Sequence, residues 1–503
     1  VLLEDITINS GAELTINADA ALTLYGDFTN NSGTVTLNSN STNFASIIVK
    51  GTSTGNIVYN RYVNAVGTNE WDLVGSPVVG QSISSFASDN DDPLATNGDQ
   101  YAIGTFDNTQ SSVAAAWTNY TTSTIGSAGN FDIGKGYQMG TDSGATLAFT
   151  GTIATTDQVE SVINNSSSGY RWNLVANPYP SYLYLNSAAD GTNNVISVNT
   201  AVGNQIIDSE FAAVYGWEAN GTELASYDNN DGAKYIAPGQ AFMIAPSSLS
   251  SVDFDFTEAM QTTIRGNDFV HDSPMTFQEI YLNLYNEDLI MGQTHIRFRE
   301  NMTLGLNPSY DVGNYNQAAP ITTRLLEDDN GTNFEHQNLP LSAMENAVIP
   351  LVINQSAGQE FRINLHTATI PDPNVYLEDV EEGTFTNLYE GDFVYTPTSD
   401  LEGVGRFFIH MTADTMSNEE VSTSMLNAYK EIDASYITIE GLATQANETN
   451  VSLYNILGRK VFSTILNNNM GTQTISTVGL SAGIYVIELE SGTDRLTKKL
   501  IIK

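Results

Sequence analysis

Apolar and polar residues alternate in short runs along nearly the whole chain: Ile6-Thr7-Ile8-Asn9, Leu14-Thr15-Ile16-Asn17 and Leu22-Thr23-Leu24 near the start, and Glu279-Ile280-Tyr281-Leu282-Asn283-Leu284 further on. A period of two places successive side chains on opposite faces of a pleated strand, and Gly and Asn turns bound most of the runs. The pattern predicts an all-β chain: multidomain antiparallel β-sandwiches, with a small β-solenoid-like region at the N-terminal end and an Ig-like domain at the C-terminal end. The first three runs recur eight residues apart, and Val35-Thr36-Leu37-Asn38 and Ile47-Ile48-Val49 follow at wider spacing. Stacked rungs over residues 1–58, a solenoid-like or meander cap, are the expectation. Only Thr, Ser and Asn decorate these strands, which suits a spacer better than a binding site.

Residues 59–260 contain a duplication. Trp71-Asp72-Leu73-Val74-Gly75-Ser76-Pro77 matches Trp172-Asn173-Leu174-Val175-Ala176-Asn177-Pro178, Trp117 matches Trp217, and Gly134-Lys135-Gly136-Tyr137 matches Gly239-Gln240-Ala241-Phe242. Two copies of this length are too few and too long for a solenoid. Paired sandwiches, or two halves of one larger sandwich, are predicted.

From 261 to 413 longer alternating strands predict another sandwich, and the scarce basic groups gather there: His295, Arg297 and Arg299, then Arg362 and His366, then Arg406 and His410. Within each strand these positions share parity and so project from one face. If the three strands were neighbours they would form an Arg/His patch, able to take a carboxylate or sulfate of a polysaccharide, or to pair internally with acids such as Glu378 and Asp379. Residues 414–434, with Asn418-Glu419-Glu420, suit a polar linker or short helix.

Beyond the linker, 435–503 alternates over Ser452–Asn455, Lys460–Ile465, Gln473–Thr477, Ile484–Glu490 and Leu496–Ile502, a small antiparallel sandwich. It contains Val451-Ser452-Leu453-Tyr454-Asn455-Ile456-Leu457-Gly458-Arg459-Lys460-Val461, then Leu480-Ser481-Ala482-Gly483-Ile484-Tyr485-Val486-Ile487, and closes on Lys498-Lys499-Leu500-Ile501-Ile502-Lys503. This segment resembles a type A sorting domain of the type IX secretion system. The resemblance implies a secreted cargo of a Bacteroidetes-type bacterium, delivered to the cell surface or medium. Its partners would be the translocon channel and its outer-membrane shuttle barrel, with contacts centred on Leu480, Gly483, Tyr485, Lys498, Lys499 and Lys503. Asp414-Thr415-Met416 resembles a Bacteroidetes O-glycosylation sequon.

Charge divides along the same line. The chain has 18 basic and 58 acidic residues, of which the tail holds 6 and 5, so the body carries 12 basic against 53 acidic. A near-neutral tail on a strongly anionic body suits partner contact at one end and solubility at the other. Nucleic acid and anionic lipid are excluded as partners, because no cluster of Lys and Arg exists to meet phosphate. A chain of 503 residues predicts three or four domains, and the absence of cysteine removes disulfides, thiolate nucleophiles and cysteine-ligated zinc. Val1-Leu2-Leu3 is too short for a signal-peptide core, so any such leader is expected to be gone, and no apolar run reaches transmembrane length.

Candidate chemistry is sparse. Trp117, Tyr120, Tyr179, Tyr182 and Trp217 lie near Gly, Pro, Ser and Asn-rich loops, where aromatic faces could stack on sugars, while Trp71 and Trp172 with flanking Leu-Val suit core positions. Asp89-Asn90-Asp91-Asp92, Asp228-Asn229-Asn230-Asp231-Gly232 and Glu327-Asp328-Asp329-Asn330-Gly331 cluster oxygen atoms around turns. Solvated turns are the simpler account. Calcium is the cofactor such loops would take, with Asp228 and Asp231 the best candidate ligands, although the second loop lacks an EF-hand's distal Glu.

Gly51-Thr52-Ser53-Thr54-Gly55 satisfies Gly-x-Ser-x-Gly but is flanked by strands, so a hairpin is expected rather than a nucleophile elbow. The five histidines show no metal spacing. A glycosidase carboxylate pair leaves no sequence trace. A non-catalytic adhesion or glycan-binding protein, bound to surface polysaccharide or a surface adhesin, is the expectation, with a secreted hydrolase and a passive stalk as alternatives.

Overall fold

The computed structural model describes the chain apart from residues 1, 67–70, 168, 218–223, 266–277, 371–373, 413–425, 431–434, 444, 446, 456–458, 469–470, 482, 493 and 503. The chain forms two compact units, Val1–Met275 and Thr276–Lys503. Strand accounts for 50% of the residues and helix for 6%, so the fold is all-β as the alternation predicts.

In the first unit the chain opens as a three-sided coil of parallel sheets. Leu2–Leu3, Ala21–Leu24 and Ser46–Val49 form one side, Ile6–Asn9, Phe28–Asn31 and Ser53–Thr54 the second, and Glu13–Ile16, Thr34–Asn38 and Ile57–Val63 the third. Partners in a sheet lie a full turn apart, with Leu2 opposite Thr23 and Ala21 opposite Ser46. The eight-residue spacing therefore marks successive sides of one turn and not stacked rungs. Ile8, Ile16, Leu24, Phe28, Leu37 and Ile47 point into a common core, and their burial selects this pairing. The Gly51–Gly55 segment is not a hairpin: Ser53–Thr54 pairs in parallel with Phe28–Thr29 as a side of the coil.

The duplication is visible in strand order. In the first copy Asp72–Val74, Tyr137–Met139, Gln100–Phe106 and Trp117–Thr121 are successive neighbours; in the second the order is Asn173–Ala176, Ala241–Ile244, Val214–Trp217 and Leu224–Tyr227. Each copy also carries a short helix, Ile83–Asp89 or Val195–Asn199, capped by the side-chain oxygen of Ser82 or Asn194. The copies meet reciprocally. Val74 bridges Gln240 while its counterpart Val175 bridges Lys135, which gives the contact an approximate two-fold axis. Ile57–Val63 crosses the boundary expected at residue 58, since it closes the coil and pairs along its length with Ala145–Gly151. Gln261–Thr262 belongs with the second copy, where it pairs with Tyr182–Tyr184.

The second unit begins with a single eleven-stranded sheet running from Thr384–Asn387 through Val404–Thr412, Val348–Ile353, Phe334–Pro340, Leu289–Arg299, Gln278–Asn286 and Phe361–Ala368 to Phe393–Tyr395. It curls until strands distant in that order meet. The ring of Phe407 lies 6.3 Å from Phe361 and 5.7 Å from Phe393 across one apolar core. The C-terminal sandwich follows. Asn427–Tyr429, Tyr436–Glu440 and Gln473–Ser476 make a three-stranded sheet, and Lys460–Leu466, Thr449–Asn455, Gly483–Ser491 and Asp494–Ile502 a four-stranded one, all antiparallel. Ile437, Ile439, Val451, Leu453, Ile487 and Leu489 fill the space between them. Its first strand, Asn427–Tyr429, comes from residues expected to be linker. Asp414-Thr415-Met416, Asn418-Glu419-Glu420 and Gly458 lie outside the described residues.

Candidate functional site

Among the described residues the final strand, Asp494–Ile502, pairs only with Gly483–Ser491 and so forms one edge of its sheet. Leu500 and Ile502 are buried and Leu496 packs against the same core. Lys498 shares their face by the two-residue period. Its ammonium donates to Asn427 Oδ1 at 3.1 Å. Burial pulls the Lys498 pKa below its ordinary value, against the opposing field of Asp329, Glu440, Glu327 and Asp328. The structure thus directs Lys498 inward, toward other groups of its own chain. Tyr485 is buried, and its hydroxyl donates to the Ser481 carbonyl at 2.8 Å, which closes the preceding turn. Leu480 packs on the core, and Gly483 opens its strand opposite Ile502. Lys499 pairs with Val486 in the ladder while its side chain, like all of Lys503, lies outside the described residues.

Beside Lys498 is Glu440, 2% exposed. The Tyr429 hydroxyl donates to its Oε1 at 2.7 Å and also contacts the Val404 carbonyl of the curled sheet at 3.1 Å. Burial pushes the Glu440 carboxyl up to about 8, against the lowering influence of Tyr429 and Lys498. Asp329 on the opposite side is also raised by burial, although Arg324 stands 3.3 Å away.

The expected Arg/His patch does not form as one surface. The strand carrying His295 and Arg297 and the strand carrying Arg362 and His366 flank Gln278–Asn286 on either side, whereas Arg406 and His410 lie on a strand well removed in sheet order. Arg297 Nε donates to Glu279 Oε2 at 2.9 Å, and His295 Nδ1 stands 3.7 Å from the same oxygen. Burial alone would raise the Glu279 carboxyl, but His295 and Arg297 hold it down at about 2. Burial in turn depresses His295 to about 4, despite Glu279. His295 stacks on Tyr281 at 3.8 Å, and His366 meets the same ring edge-on at 5.1 Å. Arg362 pairs with Asp392 at 2.6 Å above the Tyr285 ring, and Arg299 covers Tyr310. Arg406 donates to both oxygens of the fully buried Asp379 at 2.8 and 2.7 Å, and His410 lies 2.6 Å from Glu378.

The aromatic candidates divide. Tyr179 and Tyr182 are fully buried: the Tyr179 hydroxyl donates to the Phe256 carbonyl at 2.8 Å, and the Tyr182 hydroxyl accepts from the Phe44 N–H at 3.2 Å. Trp172 is core, packed on Phe211 and Tyr215, and Trp71 packs on the core of the first copy. The Trp217 backbone pairs with Leu224, but its side chain lies outside the described residues. Trp117 is half-buried on the sheet face it shares with Phe106, Asn119 and Gln138. Its ring centroid is 4.9 Å from Phe106, which in turn lies 6.3 Å from Tyr170. The Gln138 amide donates to Asn119 Oδ1 at 2.5 Å above Gly104, where a Cβ would sit 2.3 Å from that oxygen. Half-exposed Tyr120 is on the opposite face by parity.

In the loop holding Asp228 and Asp231, the Asn186 amide occupies the point where the carbonyls of Asp228, Asp231 and Gly232 converge, at 2.9, 3.2 and 2.9 Å. The Asp228 carboxylate accepts from Asn230 N–H, and the Asp231 carboxylate accepts from Asp228 N–H at 2.9 Å. In the first acidic loop Asn90 caps the helix and bonds Ala148. Among the described residues no group of three or more His, Asp or Glu is arranged to hold a metal.

A family model described as a domain of unknown function, DUF8693, matches residues 1–411. The chain belongs to this family. A second model, the secretion system C-terminal sorting domain, matches residues 433–503, which makes this DUF8693 protein a type IX secretion cargo, exported to the cell surface or extracellular space. Its tail therefore interacts with the secretion machinery. No curated protein matches the chain. Among solved structures, a DUF3244 family protein with an immunoglobulin-like β-sandwich fold from Bacteroides vulgatus aligns at 15% identity and TM-score 0.15, over 18% of this chain and 93% of that one. An FMN-binding β-glucuronidase from Facaelibacterium prausnitzii L2-6 aligns at 8% identity and TM-score 0.12, over 45% of this chain and 39% of that one.

Several groups of the DUF8693 body and its sorting tail were not legible as site residues. Glu440 and Tyr429 alternate with apolar residues and look solvent-facing, because a strand covered on both sides is ordinarily apolar throughout and a buried polar side chain leaves the same alternation as an exposed one. Phe106 and Tyr170 join Trp117 from separate segments. Trp117 drew attention through its match to Trp217, but the strand orders correct that match: Trp117 lies on the fourth strand of its copy, whereas Trp217 lies on the third, in the place of Phe106.

Proposed function

We propose that this DUF8693 protein is a non-catalytic adhesion protein of the bacterial surface that binds polysaccharide. The translocon channel and outer-membrane shuttle barrel of a Bacteroidetes cell would be the machinery that its tail engages. One observation carries the adhesion reading: Trp117 and Phe106 share a partly open sheet face with the Asn119–Gln138 amide pair. An aromatic surface takes the CH face of a pyranose, and adjacent amides accept and donate to its hydroxyls.

Affinity electrophoresis of the full chain through gels containing surface polysaccharides tests it. Wild-type protein should be retarded without releasing reducing ends, and Trp117→Ala should weaken binding about tenfold, a loss of ~1.4 kcal/mol. Unretarded wild-type protein, or a Trp117→Ala chain retarded equally, refutes the site. Released reducing ends would favour a hydrolase.

A further inference from the structure

The strand Val404–Thr412 has a bulge opposite Val348–Ile353: Leu351 faces Phe407, but the next residue, Val352, faces Val404, leaving Gly405 and Arg406 outside the ladder. Bulges re-aim local backbone. Here the bulge forms a notch. Gly405 has φ +123°, and a Cβ there would fall 2.2 Å from the Tyr429 hydroxyl and 2.5 Å from Glu440 Oε1. The Val404 carbonyl in the same notch faces the Tyr429 hydroxyl at 3.1 Å. Nearby, a Cβ on Gly471 would lie 3.5 Å from Val380 Cγ1. The third element is the acidic loop, whose Glu327, Asp328 and Asp329 face Lys498 electrostatically while Asn427 holds its ammonium. One side of this contact lies within residues 1–411 and the other in the C-terminal sandwich.

We propose that the DUF8693 body carries a built seat for its own sorting tail, formed by the Val404–Gly405 notch, Val380 and the acidic loop 327–329, and that export requires the tail to leave it. The glycine notch admits Tyr429 and Glu440, and the acidic loop supplies a field that favours the charged form of Lys498. While the tail is seated, the side of the sandwich bearing Tyr429 and Glu440 is covered by the body and closed to the secretion machinery. The open edge of Asp494–Ile502 is the part accessible for first contact.

Two measurements on the full chain test the seat. The chain has no cysteine, so Val380→Cys with Gly471→Cys creates a unique pair; the Gly471 Cβ position meets Val380 Cγ1 at 3.5 Å, and one bond further puts the Val380 Cβ within about 5 Å, near the upper end of the Cβ separation of about 3.5–4.5 Å found in disulfides. In a type IX-secreting cell this double variant should oxidise in the periplasm and accumulate there, with export restored by dithiothreitol and normal in each single variant. A pair that stays reduced, an oxidised chain exported at wild-type yield, or a block that reductant does not relieve overturns the proposal. Independently, acetylation of purified protein followed by mass spectrometry should modify Lys498 at least tenfold more slowly than exposed Lys50, and Gly405→Ala should remove most of that protection. Equal rates in the wild-type chain also overturn it.

Discussion

Replacing Glu440 by glutamine should stabilise the C-terminal sandwich at alkaline pH and leave it almost unchanged at pH 5. The carboxyl titrates from an ordinary value of 4.5 when unfolded and at about 8 when folded, because burial disfavours its charged form more than Tyr429 and Lys498 favour it. Between those values the folded chain keeps a proton that the unfolded chain has released. Stability associated with this group is thus fully present below about pH 4.5 and is lost as pH rises through about 8. At ~1.4 kcal/mol per pH unit the interval corresponds to about 5 kcal/mol at full titration, an upper figure because movement of Lys498 toward the carboxylate would recover part of it. Glutamine stays neutral throughout and still accepts from Tyr429. Hydrogen exchange at Tyr436–Glu440, followed through a urea series by mass spectrometry, isolates this region from the rest of a multidomain chain. The variant should gain about 3–5 kcal/mol over wild type at pH 9 and less than about 1 at pH 5. Parallel pH profiles for the two proteins would refute the reasoning.

Two further outcomes follow from buried polar groups. Arg406→Ala strips both guanidinium bonds from Asp379, which has no exposed surface, and should cost about 3–5 kcal/mol, measured as a lowered melting temperature of the second unit. Asn186→Ala removes the amide that joins three loop carbonyls and should destabilise the second repeat by about 3 kcal/mol in thermal unfolding; an unchanged transition would show that the loop is held by something else.

Strand alternation in the sequence located all five strands expected in the tail, and the Trp-x-Leu-Val-x-x-Pro repeat located two modules with the same strand order. Pairing was harder to infer. Parallel partners in the coil lie a full turn apart, so the nearest similar segment, eight residues away, is on another side. Parity placed Arg297 with His295 and Arg362 with His366, but it cannot order strands within a sheet, and Arg406 and His410 fell elsewhere. Lys498 illustrates a different limit. A basic residue between Leu496 and Leu500 shares their inward face by the two-residue period, but the period alone does not show that Asn427 receives its ammonium. Asn427–Tyr429 was too short and too polar on either side to stand out as a strand.

Parallel coils have an inherent hazard, because each rung offers the next an identical row of unpaired amides and carbonyls, and a second molecule can continue the series into a fibre. The last turn of the coil, Ser46–Val49, Ser53–Thr54 and Ile57–Val63, is closed to such growth on two of its three sides. Ala145–Gly151 lies antiparallel along Ile57–Val63 and breaks the translational repeat, and on another side the Ile47 N–H is taken by the Pro180 carbonyl at 2.8 Å. The first repeat module thus supplies one stopper and the second supplies the other. With two sides of that end occupied by the modules that follow, a second molecule's rung finds no complete template on which to extend the coil.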